Sequence, residues 1–495
     1  METMRLGALL AALGEEPRID AADDVEVDGI ALDSRRVRPG DLFFALAGTR
    51  TDGRRHVTDA IARGARAVVT SAPLDADVAG ATVVASAAPR RLLGRAAAYL
   101  AGDPSAELTL VGVTGTNGKT TTTYLLEAIW RAARHRPGVL GTIAYRFDGA
   151  SRPAPLTTPD AVSLQGLLAE MRAARTTHVA MEVSSHALAQ ERVAGCRFDG
   201  AIFTNLTRDH LDFHGDLDAY YAAKARLFRE YLPASGKRDP VAVVNVDDPF
   251  GERLASEVPT RLVRVGRRGD ADVHPGAIET TLAGTRGDIV LGGRAVGFTT
   301  RLVGAPHVEN VLCAAGAAWA LGASPDAVAA GLAALEPPPG RLEQIPGPGF
   351  TVVVDYAHTP DALARALDVL RPLTTGRIVT VFGCGGDRDP GKRPLMGEAA
   401  AGRSDLVVLT SDNPRTEDPL RIIADVERGV RAVGESAYRV EPDRRAAIAL
   451  AIGLAQPGDL VLVAGKGHED YQIVGTEKHP LDDRDEVRRA LARLG

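Results

Sequence analysis

A glycine-containing turn between an apolar run and a helix-like segment constrains this chain more than any other feature. The apolar run covers residues 108–113, the helix-like segment covers residues 120–130, and the turn reads Gly115-Thr116-Asn117-Gly118-Lys119-Thr120. Glycines allow a tight backbone turn whose N–H groups point inward, and the start of a helix carries partial positive charge. A strand, a glycine turn and a helix in this order therefore predict a loop that binds the phosphates of a nucleotide.

Lys119 and Thr120 supply the side chains that such a loop needs. Lys119 would reach the β- and γ-phosphates of a nucleoside triphosphate, and the Thr120 hydroxyl would coordinate Mg²⁺. The usual pattern has glycine where Val113 stands, and Gly115 and Gly118 shape the loop instead. This departure indicates a particular subfamily of nucleotide enzymes. The alternative is an ordinary glycine-rich turn between a strand and a helix.

Composition is typical of a soluble enzyme with several domains. The chain has 495 residues, of which 45% are hydrophobic and 25% are charged, and this length suggests about three domains. A formal charge of −6 argues against a nucleic-acid scaffold. Cys196, Cys313 and Cys384 are too widely spaced to indicate a zinc site or a disulfide framework. Because no run of about 18 apolar residues occurs, we expect no membrane span and a cytoplasmic enzyme.

Two interruptions divide the chain into three parts. Gly and Pro break the helical pattern at residues 102–105, and the proline run at residues 336–340 fits neither a regular helix nor a central strand. We therefore predict domains at residues 1–103, 104–338 and 339–495.

Runs of Val, Ile and Ala predict parallel strands that are buried on both faces. These strands are expected at residues 41–46, 67–70, 178–183, 200–205, 241–245, 350–354, 378–382, 406–410 and 460–464. Helical patterns cover residues 60–66, 88–101 and 220–228. Residues 270–301 alternate polar and apolar side chains with many glycines, which predicts a small antiparallel insertion. The fold class is therefore α/β, with a central parallel sheet and a third α/β unit that has its own sheet.

Polar side chains follow several of the predicted strands. Ligands of α/β sheets gather beyond the carboxyl ends of the strands, and a carboxylate and a histidine there could hold Mg²⁺. Glu182 and His210 are the candidates, although the residues alone allow Glu182 to cap a helix and His210 to be a plain loop residue. Lys224, taken alone, reads as a solvated helix lysine. Other possible metal ligands in the same stretch are Asp209, Asp212 and His214.

Taken together, these motifs resemble the Mur ligase family, whose members build the peptide stem of the bacterial cell wall. The matching segments follow the family's order along nearly the whole chain: residues 115–120, 182–186, 204–212, 223–228, 355–360 and 383–389. The resemblance is strongest to the members that add the third amino acid. It implies a UDP-sugar-binding domain, a central ATPase domain and a C-terminal Rossmann-like domain. It also implies that ATP phosphorylates a substrate carboxylate, and that an amino group then attacks the acyl phosphate.

The resemblance assigns roles around ATP and Mg²⁺. Thr120 and Glu182 would bind one Mg²⁺, and His210 and a carbamylated Lys224 (N6-carboxylysine) would bind a second. Lys119, Lys224, His210 and Glu182 would be the catalytic residues. The expected ATP contacts are Gly115, Thr116, Asn117, Gly118, Lys119, Thr120, Asn310, Arg341, Asp355 and His358. Near Asn310, Pro306-His307 stand where the family more often has Phe-Asn.

The resemblance also assigns the other two substrates. A UDP-N-acetylmuramoyl dipeptide would contact Ser34, Thr157, Thr158, Ser184 and Arg192. Residues 412–415 resemble the loop of the members that add meso-diaminopimelate, and the Arg415 guanidinium could clamp the distal carboxylate that lysine lacks. Glu469 could bind the distal ammonium. The full expected set for this amine is Arg388, Asp412, Asn413, Pro414, Arg415, Gly465 and Glu469.

Three other functions remain open at this point. A lysine-adding ligase of the same family would need a different amine site, and Asn413-Pro414 could simply form a turn. Folylpolyglutamate synthase is a related ligase, but it explains neither the N-terminal domain nor residues 412–415. A nucleotide-dependent switch or motor explains neither Lys224 nor Arg415. We expect a monomeric enzyme that acts on small-molecule substrates.

Overall fold

The computed structural model describes residues 4–14, 25–48, 51–72, 74, 78, 80–434 and 437–494. Three sheets of four or more strands follow one another along these residues, together with two short two-stranded sheets, and helices pack on each of the three. Strands and helices are numbered below in chain order. In the described residues, no helix is long and apolar enough to cross a membrane.

The N-terminal unit is a small parallel sheet in which neighbouring strands follow chain order. A short antiparallel pair comes first, β1 Met4–Arg5 and β2 Glu26–Val27. The strands of the parallel sheet are β3 Gly29–Ala31, β4 Asp41–Phe44, β5 Ala67–Thr70 and β6 Thr82–Ala85. Its helices are α1 Leu6–Ala12, α2 Val57–Ala62 and α3 Pro89–Leu100. The helix predicted at residues 60–66 begins earlier and ends at Ala62. The left-handed Gly64, at φ +102°, stops it there.

The central unit is an 11-stranded sheet in the order β10-β9-β8-β11-β7-β12-β13-β14-β15-β16-β17. The strands are β7 Thr109–Thr114, β8 Pro137–Leu140, β9 Ala144–Phe147, β10 Ala150–Pro153, β11 His178–Glu182, β12 Gly200–Phe203, β13 Val241–Asn245, β14 Arg261–Val265, β15 Val273–Thr281, β16 Gly284–Leu291 and β17 Arg294–Thr300. The helices are α4 Pro104–Glu107, α5 Lys119–Ala132, α6 Ala161–Ala173, α7 Ser185–Ala189, α8 Leu211–His214, α9 Leu217–Arg226, α10 Pro249–Ala255, α11 Ala305–Ala320 and α12 Pro325–Ala334.

The middle of this sheet is parallel and buried on both faces, as its apolar strands predict. In β11, Val179 and Met181 join the core on one face, and Ala180 joins the core on the other. The antiparallel pairing predicted for residues 270–301 is confirmed in β15, β16 and β17. These strands extend the main sheet, because Val273 pairs with Val265 of β14.

The C-terminal unit is a six-stranded sheet in the order β18-β19-β23-β20-β21-β22, parallel except for β18, with a separate hairpin β24-β25. The strands are β18 Glu343–Pro346, β19 Thr351–Asp355, β20 Ile378–Phe382, β21 Leu406–Leu409, β22 Tyr438–Val440, β23 Leu460–Ala464, β24 Tyr471–Val474 and β25 Glu477–Pro480. The helices are α13 Pro360–Leu370, α14 Lys392–Ala401, α15 Pro419–Ala432, α16 Arg444–Leu454 and α17 Asp483–Leu491. The proline run before this sheet is neither helix nor strand, as predicted.

The N-terminal unit packs on the central one through α3. Gly94 on this helix lies so close to the loop after α7 that a Cβ would come within 2.4 Å of the Ala194 carbonyl oxygen. Arg91 on the same helix donates to the carboxylates of Glu191 at 3.4 Å and Glu230 at 3.1 Å. A close backbone approach and these ion pairs therefore join the two units.

Candidate active site

The turn between β7 and α5 has the geometry that its sequence predicts. Gly115 and Gly118 have φ of +147° and +89°, which L side chains rarely adopt. A Cβ on Gly115 would lie 1.9 Å from Thr204 Oγ1, and one on Gly118 would lie 2.2 Å from Asn310 Oδ1. Backbone conformation and space therefore both require glycine, and Asn310 is held against the turn.

Lys119 places its amine over this turn. Its Nζ donates to the carbonyl oxygens of Gly115 at 2.9 Å and Thr116 at 2.8 Å. Burial lowers the pKa of Lys119, while the carboxylates of Glu182 and Asp209 act in the opposite direction. The result is a positive group at the start of α5, where an anion would be stabilised.

Lys224 contacts the same turn from helix α9. It lies on α9 with 1% of its surface exposed, so it is not the solvated lysine that its segment alone suggests. Its Nζ donates to the Gly115 carbonyl oxygen at 2.8 Å and lies 4.5 Å from the centre of the Tyr220 ring. Burial and the charge of Lys119 hold the pKa of Lys224 well below its ordinary value. Two amines thus share one carbonyl oxygen, and burial disfavours the charged form of Lys224.

Glu182 is buried at the carboxyl end of β11. One carboxylate oxygen accepts from the Thr120 hydroxyl and from the Thr142 N–H, both at 2.9 Å, and the other accepts from the Thr142 hydroxyl at 2.9 Å. Ser184 caps α7, so the alternative in which Glu182 caps this helix is wrong. Hydroxyl and carboxylate oxygens that converge in this way are ligands that Mg²⁺ accepts.

His210 stands at the start of α8 in a left-handed conformation with φ of +55°. Its Nε2 lies 3.5 Å from Asp209 Oδ2, and its ring centre lies 4.8 Å from that of His186 and 6.0 Å from that of Tyr220. Partial burial lowers the pKa of His210 to about 4, although Asp209 opposes this effect. A neutral imidazole therefore lies near Tyr220, the residue that Lys224 also contacts.

The C-terminal unit reaches the start of α5, beside the glycine turn, directly. Arg341 Nη2 lies 3.4 Å from Thr120 Oγ1, its guanidinium lies 4.6 Å from the centre of the Tyr356 ring, and its Nε is buried without a hydrogen-bond partner. Asp355 accepts from the Leu342 N–H at 2.7 Å, and burial raises its pKa. The His358 Nδ1 lies 2.8 Å from the Tyr356 carbonyl oxygen.

These side chains surround a cavity of about 260 Å³ between the two units. It brings together most of the predicted nucleotide and metal residues: Thr116, Asn117, Gly118, Lys119, Thr120, Glu182, His210, Asn310, Arg341, Asp355 and His358. A second cavity of about 490 Å³ adjoins it. Both cavities are lined by Asp209, His210, Tyr356 and His358, so a ligand in one can meet a ligand in the other.

The second cavity contains the residues predicted to select the amine. It is lined by Arg388, Asp412, Asn413, Arg415, Gly465 and Glu469. The Arg415 Nη1 donates to the carbonyl oxygens of Gly386 at 2.7 Å and Asn413 at 3.5 Å. Pro414 is buried beside them, and Arg388 is exposed at the rim. Asn413 and Arg415 therefore form part of the cavity wall, and Pro414 lies outside it.

Lys466 is a residue at this cavity that the sequence analysis missed. It is fully buried, and its Nζ contacts both Asn413 and Glu469. Its position between Gly465 and Gly467, in a stretch already singled out, was the available signal.

Four of the five residues predicted for the UDP-linked substrate lie together beside Glu182. Thr157 Oγ1 lies 3.1 Å from Thr142 Oγ1, and the Thr158 hydroxyl donates to the Glu182 carbonyl oxygen at 2.8 Å. The Ser184 N–H donates to Thr158 Oγ1 at 3.0 Å, and Arg192 Nη1 donates to the Thr158 carbonyl oxygen at 3.0 Å.

The fifth residue, Ser34, lies apart from them. It is buried in a short 3₁₀ turn of the N-terminal unit and lines neither cavity. In the same turn the Asp33 carboxylate accepts from the Arg35 N–H at 3.0 Å.

Comparisons with known proteins agree with this architecture. Three family profiles match: "Mur ligase family, catalytic domain" at residues 26–147, "Mur ligase middle domain" at residues 113–318, and "Mur ligase, glutamate ligase domain" at residues 340–467. A curated relative from Geobacter metallireducens is 48% identical over 486 residues, which cover 95% of each chain. It is named UDP-N-acetylmuramoyl-L-alanyl-D-glutamate--2,6-diaminopimelate ligase.

Solved structures give the same result. A structure described as UDP-N-acetylmuramoyl-L-alanyl-D-glutamate--2,6-diaminopimelate ligase matches with a TM-score of 0.72 and 36% identity, over 100% of this chain and 99% of the other. The MurF ligase from Thermotoga maritima in complex with ADP matches with a TM-score of 0.63 over 95% of this chain and 99% of the other. At 19% identity it shows a shared fold alone. The chain belongs to the Mur ligase family.

Proposed function

We propose that this protein is the ATP-dependent ligase that joins meso-2,6-diaminopimelate to UDP-N-acetylmuramoyl-L-alanyl-D-glutamate in peptidoglycan precursor synthesis. The observation that carries the proposal is the pair of adjoining cavities. The first cavity contains the glycine turn with Lys119, the second contains Arg388, Arg415 and Glu469, and the two cavities share a wall. The names of relatives that are 48% identical support the same substrate.

The reaction needs a good leaving group on a carboxylate. A carboxylate oxygen of the UDP-linked substrate attacks the γ-phosphorus of ATP, and ADP leaves. The amine then attacks the acyl carbon, phosphate leaves, the nitrogen loses a proton, and a peptide bond forms. Lys119 stabilises the negative charge that gathers around the γ-phosphate. The contact between Arg341 and Thr120 supports a contribution from the C-terminal unit to the same charge.

Mg²⁺ would supply further positive charge where the phosphates meet the substrate carboxylate. The Thr120 hydroxyl and the Glu182 carboxylate, 2.9 Å apart, fit one such ion. His210 and a carbamylated Lys224 are proposed for the second. The described residues contain no cluster of three or more His, Cys, Asp or Glu that could hold a metal. On this proposal the first ion relies on Thr120 as well as Glu182, and the second relies on the modified Lys224 as well as His210.

The surroundings of Lys224 favour its carbamylation. A neutral amine attacks CO₂ to form the carbamate and releases one proton. Burial and the nearby Lys119 lower the pKa of Lys224, which favours the neutral amine that this reaction needs, and Lys119 favours an anion there over a second cation. Modification would therefore place a negative charge beside the Lys119 ammonium, which attracts it.

We assign the amine and the UDP-linked substrate to separate groups of residues. Arg415 and Arg388 would bind the distal carboxylate of diaminopimelate, and Glu469 would bind its distal ammonium. Thr157, Thr158, Ser184 and Arg192 would hold the peptide part of the acceptor.

Ser34 would hold the uridine diphosphate in the N-terminal unit. We accordingly divide the chain into an acceptor-binding domain at residues 1–103, an ATP-binding domain at residues 104–338 and an amino-acid-binding domain at residues 339–495. We expect the enzyme to act as a cytoplasmic monomer.

Phosphate release tests this function when each substrate is omitted in turn. The purified protein should release phosphate only when ATP, Mg²⁺, the UDP-linked dipeptide and meso-diaminopimelate are all present. Phosphate release that depends on no amine would refute the ligase assignment. Equal rates with lysine and diaminopimelate would refute the choice of amine.

A further inference from the structure

The cavity assigned to diaminopimelate has a buried lysine behind it that the proposed reaction does not use. Lys466 lies between two left-handed glycines, Gly465 at φ +115° and Gly467 at φ +53°, and its side chain is fully buried. Its Nζ lies 3.0 Å from Asn413 Oδ1 and 3.2 Å from Glu469 Oε2. Buried lysines are rare unless they are paired, so these two contacts define what Lys466 does in the fold.

The contact with Lys466, together with one from the backbone, fixes which way the Asn413 amide faces. Asn413 Oδ1 accepts from Lys466 Nζ and also from the Ile473 N–H at 2.9 Å. An amide nitrogen accepts no hydrogen bond, so oxygen and nitrogen cannot exchange places here. The Asn413 Nδ2 is therefore directed at Glu469 Oε2, at a distance of 3.0 Å.

The other contact leaves one oxygen of Glu469 for a ligand. Oε2 accepts from both Lys466 and Asn413, so the protein itself occupies this oxygen. Among the described residues, none donates a hydrogen bond to Oε1, and Glu469 lines the cavity together with Arg415. A carboxylate fixed through one oxygen presents the other to a cation in the cavity.

We propose that Lys466 is a positioning residue for the distal ammonium of diaminopimelate. It fixes Asn413 and Glu469 so that Glu469 Oε1 faces the cavity, and it does not touch the substrate itself. The inference rests on the proposed function, because it assumes that the amine binds beside Glu469. Without Nζ, the Asn413 amide keeps only its contact with the Ile473 N–H, and the Glu469 carboxylate keeps only its contact with Asn413, so Glu469 can rotate away from the cavity.

The test is Lys466→Met, which removes Nζ and keeps an unbranched apolar chain. Loss of a charge-assisted contact should raise KM for meso-diaminopimelate about tenfold, with KM for ATP and kcat within about twofold of wild type. Lys478→Met is the matched control. Lys478 lies on the exposed strand β25 and packs on the same Tyr471 ring, with Nζ 4.0 Å from the ring centre, against 5.6 Å for Lys466. Its kinetics should match wild type.

A second amine substrate distinguishes a positioning role of Lys466 from a general disturbance of the cavity. 2-Aminopimelate keeps both carboxylates of diaminopimelate but lacks the distal amine that Glu469 would bind. Lys466→Met should therefore leave KM for 2-aminopimelate unchanged. In a Glu469→Gln background, Lys466→Met should also have little further effect on KM for diaminopimelate, because the two residues act as a unit.

Equal increases in KM for both amines, or an unchanged KM for diaminopimelate, would overturn the role of Lys466. If Lys466→Met does not fold, Lys466→Gln keeps one donor, and its KM for diaminopimelate should rise by less than tenfold while KM for 2-aminopimelate stays constant. An unchanged KM in that variant would equally overturn the role. A wild-type protein without diaminopimelate-dependent phosphate release would instead refute the proposed function, so the two failures are distinct.

Discussion

Lys119 is the side chain to which the proposed function gives the largest role in nucleotide chemistry. It lies at the start of α5, and its amine is held over the loop by two carbonyl oxygens. Lys119→Ala should abolish ATP turnover, because the γ-phosphate loses its nearest fixed cation. Affinity for the UDP-linked substrate, measured by calorimetry, should change little. Retained ATP turnover would show that the loop is wrongly assigned.

The proposed carbamylation of Lys224 can be tested separately. We expect a carbamate signal in NMR spectra of protein equilibrated with carbon-13-labelled bicarbonate, and its loss in Lys224→Arg, whose guanidinium cannot be carbamylated. Ligase activity should fall with the signal. Full activity in Lys224→Arg, or a wild-type protein that is active without any carbamate signal, would contradict this role.

Substitution of Arg415 tests how the distal carboxylate of diaminopimelate is recognised. Lysine at this position keeps the positive charge but cannot form two parallel hydrogen bonds, so Arg415→Lys should raise KM for diaminopimelate about tenfold. Arg421→Lys is the control, because Arg421 is exposed on α15. An unchanged KM in Arg415→Lys would mean that another residue binds this carboxylate.

At the scale of elements, a buried ion pair joins the parts of the C-terminal unit that carry the amine cavity. Arg444 begins α16 and donates to Asp483 at the start of α17 at 2.7 Å, with both side chains fully buried. The same guanidinium donates to the carbonyl oxygens of Ala464 at 2.9 Å and Ser411 at 3.4 Å, which directly precede Gly465 and Asp412. The pair therefore fixes the ends of the strands from which the cavity is built.

Neutralising one partner of this buried ion pair should lower the stability of the protein strongly. Asp483→Asn leaves the Arg444 charge buried without its counter-ion and should lower the free energy of unfolding by about 3 kcal/mol in urea titrations. Asp485→Asn on the same helix is the control, because the Asp485–Arg488 pair is exposed and should contribute less than about 1 kcal/mol. Equal effects of the two substitutions would contradict the structural role of the buried pair.

The sequence predicts the buried elements well for a physical reason. The strands at Ala67–Thr70, Val241–Asn245, Ile378–Phe382 and Leu460–Ala464 have the predicted bounds, because both of their faces are buried and their apolar runs are continuous. The strands Ala150–Pro153 and Glu477–Pro480 were not predicted. All of their residues are exposed, so no apolar pattern marks them.

The candidate site was predictable as a set of residues rather than as a geometry. The glycine turn and the polar strand ends follow from local patterns. Lys119 and Lys224 both donate to the Gly115 carbonyl oxygen although they are 105 positions apart in the sequence. No local sequence pattern predicts such a contact. Lys466 was missed for a similar reason, because its role depends on Asn413, 53 residues away.

At the scale of the whole molecule, the proposed reaction uses the central and C-terminal units together. The central unit contributes the phosphate loop, and the C-terminal unit contributes Arg341 to the same cavity and all of the predicted amine contacts. Asn117 Nδ2 lies 3.5 Å from Asp361 Oδ2, and Arg208 lies 3.8 Å from Asp389, so polar contacts join the two units on both sides of the shared wall. Neither unit alone can bring the amine to the activated carboxylate.

A competition experiment tests the central claim most directly. The protein is incubated with ATP, Mg²⁺, the UDP-linked dipeptide and equal concentrations of meso-diaminopimelate and lysine, and the peptide products are resolved by mass spectrometry. We predict that the diaminopimelate product accounts for nearly all of the peptide formed. Comparable amounts of lysine product, or ATP consumption without any peptide product, would contradict the account.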